Sequence, residues 1–306
     1  MEHFADKLTN LISKLNNPTV VGLDPRLSQI PEFIRANAQK EFGNTTQAVA
    51  KAIFDFNKGI IDAVHDIVPA VKPQIAFYEC YGHHGFRAYE ETVRYAQKKG
   101  MLVIGDAKRN DIGSTAEAYA AGHLGSVDIF GTPTSIVNAD ALTVTPYLGT
   151  DGIAPFTKVC ESDGKGIFVL VRTSNPSADE IQGQTVGDQL MDEHVATLVE
   201  GWGRGLIGAN GFSSVGAVVG ATYPEEAKAL RNIMPNQIFL VPGYGAQGGD
   251  ADSVKNCFHS NGTGAIVNSS RDIIFAYVKK GKPAESYAEA AREAALAMKK
   301  DLGKLF

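Results

Sequence analysis

The sequence predicts an α/β fold, a (β/α)8 barrel, on three observations. Eight short β-branched runs recur along the chain, most of them apolar at consecutive positions. Strands covered on both faces have that pattern, which marks a parallel sheet. Strand starts lie 23 to 51 residues apart, and each gap is long enough for a crossover helix. No Pro/Ser-rich linker divides the 306 residues, so residues 1–306 are expected to form one barrel domain. An open doubly wound sheet has the same periodicity and remains the structural alternative.

The strands are read at Thr19–Asp24, Ala70–Tyr78, Leu102–Lys108, Ala141–Tyr147, Gly166–Thr173, Val215–Ala221, Ile238–Pro242 and Ala265–Asn268. Gly, Pro, Asp or Ser bounds them. Between the first two, Val49, Ile53, Phe56, Ile60, Val64 and Ile67 step by three or four, one apolar helical stripe. Thr45 and Thr46 are its expected N-caps and Pro69 its stop. Further helices are read at Ala88–Lys99, Gln189–Leu206, Pro224–Ile233 and Ala284–Leu302. The two longest gaps follow strands one and five, where insertions are expected.

Composition narrows the function. With 29 Lys and Arg against 34 Asp and Glu, the net charge of −5 argues against a nucleic-acid binder held by global charge. The three cysteines, Cys80, Cys160 and Cys257, form neither a disulfide framework nor a zinc spacing, as in a reducing cytoplasm. The N-terminus lacks a signal-peptide pattern, and no apolar stretch approaches the ~20 residues that span a bilayer. A cytoplasmic protein is expected.

In a barrel, chemistry sits where strands finish. Asp106 and Lys108 lie two apart at the end of strand three and share a direction, and Asp111 follows just beyond. Flanking carboxylates favour the charged form of a lysine, making it a placed proton donor. Asp24 and Lys72 extend the alternation of charge. A salt-bridge network capping the barrel is the bland account, but burying so many charges is costly without a function.

A second cluster, Pro242-Gly-Tyr-Gly245-Ala-Gln247-Gly-Gly-Asp250, follows strand seven. Its G-x-G-x-x-G string is misplaced for a dinucleotide fold, which needs it at the first βα turn. A barrel phosphate loop fits better, with Gln247 donating and Arg271 clamping. The alternative is two plain turns and a surface arginine. Ser174, in Arg172-Thr-Ser-Asn-Pro176 after strand five, is placed to read a planar ring or merely to cap a turn; the polar stretch after it is a lid or a loose loop.

The string Asp106-Ala-Lys108-Arg-Asn-Asp111-Ile112-Gly-Ser-Thr115 resembles the D-x-K-x-x-D-I-x-x-T signature of the orotidine 5′-phosphate decarboxylases. The glycine loop around Gln247 is similar to that family's phosphate loop, and Arg-Thr-Ser-Asn-Pro with Ser269-Ser270-Arg271 resembles its longer bacterial branch. The resemblance runs from about residue 19 to 275.

It implies decarboxylation of orotidine 5′-monophosphate (OMP) to uridine 5′-monophosphate (UMP), the last step of de novo pyrimidine nucleotide synthesis, with no cofactor and no metal. Lys108 would stabilise a ring carbanion and protonate it, Asp106 would hold Lys108 beside the substrate carboxylate, and Lys72 would bridge Asp106 and the ribose. Asp24 would bind a ribose hydroxyl and Ser174 the pyrimidine. Gly245, Gln247, Ser270 and Arg271 would surround the phosphate. Asp111, Ile112 and Thr115 would reach the site of a second subunit in a homodimer. The competing expectation is a magnesium-dependent sugar-phosphate decarboxylase or lyase of the same superfamily, which places a carboxylate where Lys72 stands.

Overall fold

A computed structural model describes residues 2–221, 224–245 and 250–305. Eight parallel strands close into a barrel: β1 Thr19–Leu23, β2 Ala70–Pro73, β3 Leu102–Arg109, β4 Ala141–Val144, β5 Gly166–Arg172, β6 Ser213–Val219, β7 Gln237–Val241 and β8 Ala265–Ser269. Each strand pairs with the next in sequence, and β8 pairs with β1 through Thr19 opposite Val267. The open-sheet alternative is thereby excluded.

Alternation divides the strand residues into two cores. Val21, Val71, Val103, Leu142 and Val169 belong to the large outer core shared with the helices. Val20, Ile104, Phe168, Leu240 and Ile266 fill the barrel interior. The helix Phe4–Leu15, which the sequence reading passed over, closes the N-terminal end of that interior. Phe4 sits edge-on to Phe168 with ring centroids 6.0 Å apart, where Gly166 leaves it space. Asp6 of the same helix accepts from the backbone of Ala209 and Asn210 ahead of β6. The lower half of the barrel is therefore dry and plugged, and polar chemistry is confined to the other end.

The helix Thr46–Val64 buries Ile53, Phe56, Ile60 and Val64, and Thr45 caps it by accepting from the N–H of Ala48 at 3.2 Å. It ends five residues before Pro69, so a turn, not the proline, terminates it. The insertion after β1 contains an additional helix, Glu32–Phe42. The one after β5 contains a 3-10 turn, Pro176–Glu180, and a small hairpin, Thr185–Val186 with Gln189–Leu190.

Two strands are shorter than expected. The apolar run through Tyr78 reads as β structure, but the strand stops at Pro73 and the chain turns into a short helix, Ala76–Glu79. The fourth strand stops at Val144, and Tyr147 beyond it is 82% exposed. Local composition favoured extension in both places; the barrel rim ended it.

Candidate active site

The interior alternation that places apolar residues at the lower levels brings Lys72 and Asp106 to the upper one. Both are buried, and Lys72 Nζ donates to Asp106 Oδ2 at 2.5 Å. Lys108 Nζ donates to the other oxygen, Oδ1, at 2.6 Å. Its side chain stays about half exposed, so this ammonium faces the mouth while its partner lies below.

Burial by itself would depress the Lys72 ammonium, but the carboxylates of Asp106 and Asp24 outweigh it and hold its pKa above the ordinary lysine value. Burial by itself would raise the Asp106 carboxyl, but Lys72 and Lys108 outweigh it and hold it well below the usual carboxylate range. Asp24 sits just past β1, and its Oδ1 is buried without a hydrogen-bond partner among the described residues. A ligand hydroxyl would satisfy that acceptor.

A cavity of about 500 Å³ opens over this cluster. Lys72, Asp106 and Lys108 line one side; Thr173, Ser174, Asn175 and Gln182 line the other; Leu170, Val218 and Leu240 contribute apolar surface. Charged donors facing a polar edge across an apolar floor suit a small polar ring. Ser174 is seated against Gly220, where an added Cβ would lie 3.1 Å from the serine Cβ. The turn is held from the other side by Gln182. Its Oε1 accepts from the N–H of Thr173 and its Nε2 donates to the Thr173 hydroxyl, both at 2.8 Å. The polar stretch after Ser174 is thus a hydrogen-bonded insertion in this structure.

On the opposite rim, Gly245 adopts φ +75°, and a side chain there would collide with Asp272. The turn after β7 therefore packs against the start of the helix Arg271–Ile274. Arg271 is exposed, and no carboxylate among the described residues pairs with it. Ser270 lies against Gly22 of β1. Gln247 lies outside the described residues. Asp111, Ile112 and Thr115 do not line the cavity. Asp111 accepts from the N–H of Ile112, and Ile112 is 52% exposed.

Residues 21–288 match the family model described as Orotidine 5'-phosphate decarboxylase / HUMPS family. This chain belongs to that family. It is 44% identical over 277 residues to the orotidine 5′-phosphate decarboxylase of Caldicellulosiruptor saccharolyticus, covering 90% of this chain and 91% of that one. It is 44% identical over 306 residues to the orotidine 5′-phosphate decarboxylase of Rhodopirellula baltica, covering 99% of each. Among solved structures, a putative orotidine 5′-phosphate decarboxylase of Streptomyces avermitilis superposes with a TM-score of 0.77 at 29% identity, covering 99% of this chain and 97% of that one. The OMP decarboxylase of Leishmania donovani superposes at 0.73 and 30% identity, covering 99% and 98%. The family barrel is the barrel described above.

Three groups escaped the sequence reading: Thr143 under Asp106, Gln182 behind Thr173, and the acids around Arg172. Thr143 was reachable, because it shares the inward parity of Ala141 on β4. Gln182 and the acids come from separate loops and helices, and no spacing links them to their partners.

Proposed function

We propose that this protein decarboxylates orotidine 5′-monophosphate to uridine 5′-monophosphate, completing pyrimidine nucleotide synthesis in the cytoplasm. The observation that carries this reading is the Lys72–Asp106–Lys108 chain, with its half-exposed ammonium at the mouth of a cavity whose far wall is Ser174. Membership of the family and the names of its 44%-identical relatives support it.

Breaking the bond between the ring and the carboxylate leaves an electron pair on a ring carbon as carbon dioxide departs. Lys108 stabilises that pair by its charge and delivers a proton from Nζ to the same carbon; the amine then regains a proton from solvent. Asp106 is already bonded to both ammoniums, so the field is organised before the substrate arrives. Lys72 and Asp24 take the ribose, and Ser174 takes the pyrimidine edge. Gly245, Gln247, Ser270 and Arg271 hold the phosphate, whose remote binding energy is realised in the transition state. No metal or organic cofactor takes part.

A homodimer completes the site. Exposed Ile112, Tyr147 and Leu148 give the rim beside Asp111 an apolar surface, and Leu148 and the Asp111 backbone meet around Gly152. Across that surface Asp111, Ile112 and Thr115 reach the partner's substrate.

The test is spectrophotometric turnover of orotidine monophosphate before and after exhaustive chelation. Equal activity supports the reading. Activity that disappears with the chelator and returns with magnesium favours the sugar-phosphate enzyme, which the ammonium of Lys72 argues against.

A further inference from the structure

We propose that Thr143 is a positioning residue that sets the geometry of the proton donor, an inference that rests on the decarboxylase reading. In the pairing of β3 with β4, Gly105 lies opposite Leu142, yet the next pair is Arg109 with Val144. Three residues of the third strand, Asp106 to Lys108, therefore stand against one of the fourth, Thr143, in a bulge. A bulge removes ladder partners from the backbone it contains, and buried N–H groups need replacements.

The Thr143 hydroxyl supplies them. It accepts from the N–H of Ala107 and from the N–H of Lys108, each at 3.0 Å. It donates its own proton to Asp106 Oδ1 at 3.0 Å. That same oxygen receives Lys108 Nζ. One hydroxyl, 1% exposed, thus ties the backbone and the ion-pair partner of a single lysine together.

The lysine needs such a tie. Lys108 has φ +48°, in the left-handed region that a residue with a Cβ seldom occupies. A strained backbone persists only where its surroundings over-determine it. Relaxation to an ordinary φ would swing the Cα–Cβ bond and carry the ammonium away from the cavity mouth. Threonine suits the role because its branched Cβ restricts χ1 and so limits where the hydroxyl points. Thr143 also lines the cavity, so the split between kcat and KM distinguishes an action on the donor from a contact with substrate.

The experiment compares Thr143→Val, which keeps the shape and loses the hydroxyl, with Thr143→Ser, which keeps the hydroxyl. Both are assayed with orotidine monophosphate well below their unfolding temperatures. The expected result is a roughly 10- to 100-fold fall in kcat for Thr143→Val, little change in KM, and recovery of most of kcat in Thr143→Ser. If Thr143→Val does not fold, Thr143→Ala makes the same comparison with serine. Unchanged kcat in the hydroxyl-free variant, a loss confined to KM, or a serine variant as impaired as valine would each overturn the inference while leaving the decarboxylase reading intact. Absence of turnover in the unsubstituted protein would overturn the reading itself, and this inference with it.

Discussion

Two ionic clusters on the same rim of this barrel are each built around a buried charge of opposite sign, Asp106 in one and Arg172 in the other. At the ends of β2 and β3 the central charge is a carboxylate: Asp106 binds two ammoniums, and Asp24 adds a second carboxylate beside Lys72. At the end of β5, three carboxylates among the described residues surround one guanidinium: Arg172 pairs with Asp179 at 2.6 Å, Glu226 at 2.5 Å and Asp192 at 3.6 Å. Asp106 is held below the carboxylate range because Lys72 and Lys108 outweigh its burial. Asp192, 2% exposed, is raised because burial outweighs the help of Arg172, and Glu226 and Glu193 add repulsion. The first cluster presents the half-exposed Lys108 ammonium to a cavity. The second places its guanidinium among acids from the β5 insertion and the helices Met191–Gly203 and Pro224–Ile233, and so anchors the segment that carries Ser174. The difference lies in where the cation ends: Lys108 lines a cavity, whereas Arg172 is enclosed.

The largest expected effect is on the Asp106 side. Lys108→Ala should lower turnover of orotidine monophosphate at least ~10³-fold, while calorimetry still shows nucleotide binding. Mixing these subunits with Asp111→Ala subunits should recover some activity if sites are shared between protomers. Turnover that survives the lysine substitution would erase the contrast between the clusters.

Arg172→Met comes next. Removing the cation strands buried Asp192 among acids, and urea unfolding should report a loss of about 3–5 kcal/mol, with kcat of the folded fraction changed much less. A variant of normal stability but without activity would mean that this cluster, too, is chemical.

Arg271→Ala should weaken nucleotide binding roughly 10- to 100-fold, the worth of a charge-assisted contact. Orotidine, which lacks the phosphate, should respond little to the same substitution. An equal loss for both compounds would move the phosphate clamp elsewhere.

An effect outside the cavity concerns His123, behind β3. Its Nε2 accepts from Arg109 at 3.2 Å, and burial, aided by that guanidinium, lowers its pKa from 6.5 to about 4. The folded state refuses a proton that the unfolded chain accepts. Stability should therefore fall as pH drops from about 6.5 to about 4, by up to ~1.4 kcal/mol per pH unit from this group. His123→Gln should flatten that part of the stability profile without changing it above pH 7.

Legibility followed the range of the interactions. Asp106, Lys108, Lys72 and Asp24 were readable because barrel chemistry collects at strand ends; the alternation expected to align Asp106 with Lys108 is broken by the bulge and the left-handed Lys108 that in fact bring them together. The overlong second strand shows the limit of composition: Ile75, Phe77 and Tyr78 have strand character, yet tertiary packing makes that segment helical. The plug helix escaped because its apolar positions acquire meaning only against the open end of a barrel.

By itself, the order of residues determined a string of eight strand–helix units suited to a parallel sheet, the level at which charge replaces hydrocarbon, and the family motif, since each is written in local periodicity and spacing; closure into a ring was decided by the pairing of β8 with β1. Tertiary structure alone decided which carboxylates surround Arg172, that Thr143 lies beneath a bulge, and that Lys108 takes a left-handed backbone. Those depend on the register between strands and on side chains arriving from distant segments, and neither is encoded within one window of the chain.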